Sequence, residues 1–110
     1  MVNKRISWWH WIPFLPWRIV ATVEAADEVP LRLPRKGVVL VATRQHLKWV
    51  AFDCPCRDDH RILLSLDPKN KPYWRLSGPA LTLHPSIDAL RGRTRCHYFV
   101  RNGKTLWVTE

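Results

Sequence analysis

Proline is the residue that most limits what this chain can become. Nine prolines are spread through 110 residues, with only four glycines. Each proline removes a backbone N–H and blocks the helix that would run through it. Long uninterrupted helices therefore have little room, and many turns are expected. Between these breaks the residues alternate, or run apolar over short stretches, as half-buried and fully buried strands do. Residues 17–23 alternate Trp17, Ile19, Ala21 and Val23 with Arg18, Val20 and Thr22. Residues 38–41 and 47–52 are short apolar runs with a five-residue link, which predicts a hairpin. Residues 61–66 alternate again, and the stretches 67–72 and 77–79 carry the proline, glycine, Asp and Asn chemistry of turns. Residues 85–90 read as a single helical turn capped by Ser86. The last two runs, 96–101 and 104–109, are joined by Asn102-Gly103, which suits a type I′ turn with positive φ at both positions. The pattern predicts an all-β fold, a small antiparallel sandwich or part-closed barrel of seven or eight short strands.

Hydrophobic residues make up 46% of the chain and charged residues 25%, a globular balance. Residues 1–16 carry Trp8, Trp9, Trp11 and Phe14 without a clear period. They read as an arm, either docked on the chain's own domain or offered to a partner, and residues 17–110 read as one β domain. Lys4 and Arg5 ahead of an apolar stretch imitate a signal peptide, but His10, Pro13, Pro16 and Arg18 interrupt it. Neither an export signal nor a membrane span is expected. Three cysteines, an odd number, form no closed disulfide framework, and a reducing, cytoplasmic location fits them.

Those cysteines stand close to histidines. Cys54-Pro55-Cys56 is followed by Asp58 and His60, and Cys96-His97 comes about forty residues later. Thiolates and imidazoles in such a set suit a structural zinc ion with four ligands. Neighbours on a strand point to opposite faces, so one of Cys96 or His97 is expected to reach the metal, not both. The expected set is Cys54, Cys56, one of Cys96 or His97, and a fourth from His60 or Asp58. A zinc-tied loop would join two parts of a small core.

An ordered series of motifs runs from Asp27-Glu28-Val29-Pro30 through Asp53-Cys54-Pro55-Cys56, Asp67-Pro68 and Trp74-Arg75-Leu76. It continues with Leu81-Thr82-Leu83-His84-Pro85-Ser86-Ile87 and His97-Tyr98-Phe99-Val100-Arg101-Asn102-Gly103, and ends at Trp107. Over residues 27–108 this resembles a bacterial family of small proteins, a domain of unknown function with a Cys-Pro-Cys-Gly-Cys-type motif. Its members are often encoded beside ubiquitin-like, E1-like and E2-like proteins in antiphage or stress operons. The resemblance implies a metal-binding β domain and a role near ubiquitin-like conjugation. Cys54, Cys56 and His97 match the family's positions. Asp58 stands where the third cysteine is usual, and Asp59 where a glycine is usual.

The sequence favours a binding protein over an enzyme. It holds no HExxH, no glycine-rich phosphate loop and no evident Ser-His-Asp order, leaving a zinc hydrolase or deconjugase as the lesser alternative. The formal charge is +9, and Arg91, Arg93, Arg95, Arg101 and Lys104 crowd the final stretch. Such a face suits carboxylates or phosphates. The expectation is a zinc-stabilised adaptor in a ubiquitin-like conjugation or defence system, with a small nucleic-acid-binding protein as the alternative.

Overall fold

The computed structural model describes residues 5–44, 46–55, 60–78, 80–91 and 94–108. Its strands are β1 (Arg18–Val23), β2 (Gly37–Thr43), β3 (His46–Asp53), β4 (Arg61–Ser65), β5 (Arg75–Ser77), β6 (Thr82–Arg91), β7 (Thr94–Arg101) and β8 (Lys104–Trp107). They form two four-stranded sheets, ordered β1-β2-β3-β4 and β5-β6-β7-β8. Every pairing is antiparallel except β1 with β2, which is parallel and reached through the long link over residues 24–36. The sheets face each other as a sandwich and do not close into a barrel.

The first sheet is covered on both faces, and this explains the unbroken apolar run of β2. Val38 and Leu40 point into the core between the sheets with Trp17, Val50, Phe52, Leu83, Tyr98 and Val100. Val39 and Val41 point the other way, joining Val20, Val23, Leu33 and Ala51 beneath the link that follows β1. A strand buried on both sides loses the polar half of its alternation. The second sheet keeps that half. Along β7, Cys96, Tyr98 and Val100 are buried, while Arg95 and Arg101 are exposed and His97 and Phe99 half-buried. Its outer face carries Arg95, His97, Phe99 and Arg101 from β7, with Lys104 and Leu106 opposite them on β8.

Trp17 ties the layers together. Its indole is fully buried edge-on to Phe52, and Nε1 donates to Thr105 Oγ1 at 2.8 Å. Its backbone N–H donates to Gly103 O (3.0 Å), while the Gly103 N–H donates to Leu81 O (2.8 Å). Asn102 and Gly103 both take positive φ, 51° and 77°, as the type I′ reading requires. Residues 85–90 depart from expectation. They are not a helical turn but part of β6, because Ile87 fills the core opposite Tyr98 and the burial outweighs the local turn preference. Among the described residues no helix is long and apolar enough to cross a membrane.

Candidate functional site

The register of β6 against β7 slips in one place. Leu83 sits opposite Val100 and Ile87 opposite Tyr98, so four residues of β6 advance while β7 advances two. The extra residues fall at His84-Pro85-Ser86. Proline has no N–H to give to a ladder, so a bulge is where a strand can hold it. Both inward positions, Leu83 and Ile87, stay buried across the bulge. Ser86 lies between them on the opposite parity, and its side chain comes out beside β7.

There it meets His97. Ser86 Oγ and His97 Nε2 are 3.1 Å apart. With Nε2 unprotonated, the serine hydroxyl donates to it, which is the arrangement that activates a serine as a nucleophile. The Ser86 carbonyl accepts from Trp74 Nε1 at 3.2 Å, which fixes the backbone on the other side. Asp88, two residues along the same face, is the direct cross-strand partner of His97. Its carboxylate is held by Arg95, with Nε donating at 2.9 Å and an Nη at 2.7 Å. Those hydrogen bonds, with smaller help from the Arg95 charge, keep Asp88 below the usual carboxylate range. Serine, histidine and an ionised aspartate thus share one patch of the outer face.

The expected metal residues divide between the two faces of the second sheet. Cys54 and Cys96 are both buried in the core between the sheets, where Tyr98 Oη donates to Cys54 Sγ at 3.4 Å. The Cys54 N–H donates to the His60 carbonyl at 2.8 Å. His97 lies on the other face with Ser86. Cys56 and Asp58 lie outside the described residues, and among the described residues no three His, Cys, Asp or Glu groups gather as a metal site. Of the basic residues, Arg95 is engaged with Asp88, and Arg101 lies over the Phe99 ring at 4.9 Å with exposed Lys104 opposite it. Arg91 ends β6, and Arg93 lies outside the described residues.

Ser86 and His97 both lie within the motifs that carry the family resemblance, but no local pattern in the sequence pairs them. The two are eleven positions apart, and the register that sets Asp88 opposite His97 brings Ser86 diagonally beside it on the same face. The trace that was present is Pro85 inside an otherwise alternating run, since proline in such a run marks an edge or a bulge.

Comparison with protein families finds a match over residues 25–108 to a family described as "Bacterial ubiquitination-like system serine protease (BubE)". Comparisons with curated proteins and with solved structures found no match.

Proposed function

The chain belongs to this BubE family, a component family of bacterial ubiquitination-like systems, and from that premise we propose that it is a serine peptidase with Ser86 as nucleophile and His97 as general base. The observation that carries the proposal is the 3.1 Å approach of Ser86 Oγ to His97 Nε2. The family's description as serine proteases supports the same chemistry.

The reaction needs two steps. Ser86 Oγ attacks an amide carbonyl as its proton passes to His97 Nε2, forming a C–O bond. The C–N bond then breaks, the amine leaves with that proton, and an acyl-serine remains. Water repeats the sequence, giving up its proton to His97 and releasing the acid and the free serine. Asp88, ionised and opposite His97, stabilises the imidazolium that forms between the steps. The substrate class is an amide bond in a protein of the conjugation system, a ubiquitin-like protein or its conjugate. The basic outer face, with Arg101 and Lys104, would dock that protein, an adaptor function serving catalysis. To test this, cleavage of the system's ubiquitin-like protein bearing a C-terminal amide extension is followed with Ser86→Ala and His97→Ala. Each variant should lose roughly 10³-fold or more in kcat with its melting temperature nearly unchanged. Cleavage by Ser86→Ala at the wild-type rate would refute the assignment.

We also propose that a structural zinc holds the loop at residues 54–60 to β7. Support comes from the burial of Cys54 and Cys96 in one core cluster. The donor chemistry fits, with Cys54, Cys56 and Cys96 as thiolates and His60 or Asp58 completing four. His97, facing Ser86, is then spared for catalysis. The ion would brace β7 from behind and so steady the histidine.

A further inference from the structure

β6 is ten residues long, but its neighbour on the side away from β7 is only three. β5 pairs with it at Thr82, Leu83 and His84. Among the described residues no other strand takes over beyond His84. The uncovered edge begins where Ser86 stands. Its direction is set by a hydrogen bond: the Ser86 carbonyl points toward the β5 side, where Trp74 Nε1 donates to it. Strand backbones repeat every second residue. Asp88 and Leu90 therefore present their N–H and C=O groups to the same side, while Ile87 and Ala89 turn theirs to β7. A row of strand groups with no strand neighbour is a template for another chain.

We propose that this open edge of β6, at Asp88 and Leu90, binds the acyl-side segment of the substrate as an added antiparallel strand. The inference rests on the reading of Ser86 as nucleophile. Direction favours it. A strand antiparallel to β6 runs from Leu90 toward Ser86, so its C-terminal end arrives at the serine with the bond to be cut. There it meets Trp74 and the start of β5, which occupy the same lane of the sheet. The added strand cannot continue in plane, and the leaving segment must turn out of the sheet. The site thus selects an extended tail that reaches the serine from its N-terminal side. Main-chain hydrogen bonds supply the affinity in such strand addition, and alternate side chains supply the selectivity. The Asp88–Arg95 ion pair leaves the face beside the added strand without net charge at that point, so the added strand needs no charge of its own there.

The test uses two readouts of the full chain. Hydrolysis of p-nitrophenyl acetate above the Ser86→Ala background reports the Ser–His pair without a peptide. Release of a fluorogenic C-terminal amide from the system's ubiquitin-like protein reports the pair plus the edge. Leu90→Pro deletes one edge N–H. It should lower kcat/KM for the protein substrate at least tenfold, mainly through KM, and leave ester hydrolysis within twofold. Wild-type cleavage by a folded Leu90→Pro, or equal loss of both activities, overturns the proposal. Should that variant fail to fold, amide hydrogen exchange on Ser86→Ala mixed with the same protein substrate decides. The Asp88 and Leu90 amides should slow at least tenfold, and unchanged exchange there overturns the edge. Absence of any Ser86-dependent ester hydrolysis would instead refute the nucleophile, while the exchange result still judges the edge.

Discussion

Arg18 shows how much a single side chain settles. It is 9% exposed, and its guanidinium donates to the carbonyls of Pro16 (2.9 Å), Arg35 (3.1 Å) and His10. Nε also donates to His10 Nδ1 at 3.0 Å. An arginine is always charged, so a histidine nitrogen that accepts from it must be unprotonated. Burial, and next the Arg18 charge, hold the His10 pKa below its ordinary value. The sign follows: the unfolded state takes up the proton first, so this contact stabilises fully above the ordinary histidine pKa and is lost as pH falls. The Trp-rich arm should therefore loosen as pH falls below the ordinary histidine pKa of about 6.5, read as faster proteolysis between residues 8 and 16, and His10→Ala should remove the pH dependence. An arm equally protected at both pH values would contradict this. At Gly103 the backbone has φ +77°, and an added Cβ would lie 2.8 Å from Pro16 Cβ. Gly103→Ala should cost about 2 kcal/mol, measured by urea unfolding.

At the scale of elements, the two halves of the second sheet differ in how plainly they can be read. The β7–β8 hairpin is legible because Asn102-Gly103 dictates its own turn, and alternation on either side sets which residues go inside. β6 is not, because Pro85 and Ser86 have the local chemistry of a turn and a cap. What makes them a strand is Ile87 seated opposite Tyr98, a contact between residues eleven apart that no local window contains. The Ser–His pair is hidden for the same reason, since nothing in the residue order gives the register that sets Asp88 opposite His97 and Ser86 diagonally beside it. Ile87 is 1% exposed, and Ile87→Ala should cost about 3 kcal/mol by thermal or denaturant unfolding. It should also cut activity more than the lost stability alone explains, because it loosens the strand that aims Ser86. Intact turnover at a temperature where the variant is fully folded would separate the packing role from the aiming role.

Across the whole molecule, the proposed site stands on the outer face of the second sheet, backed by a core that both sheets share. Trp17 and β1 lie before the matched stretch of residues 25–108, yet Trp17 fills the centre of that core. If zinc braces β7, purified protein should contain about one ion per chain, and Cys54→Ser should lose both the metal and several kcal/mol of stability, since structural metal binding is folding free energy. Full stability without metal would refute the brace and leave the Ser86–His97 pair standing by its own geometry. That pair is the central claim, and covalent labelling tests it most directly. An activated serine attacks the phosphorus of a fluorophosphonate probe, displacing fluoride and leaving a stable phosphonyl ester on Oγ. Intact-mass and peptide analysis should find one adduct on wild-type protein, located at Ser86, absent from Ser86→Ala and formed at least a hundredfold more slowly on His97→Ala. No adduct on the folded wild type, or an adduct that persists in Ser86→Ala, would contradict the account.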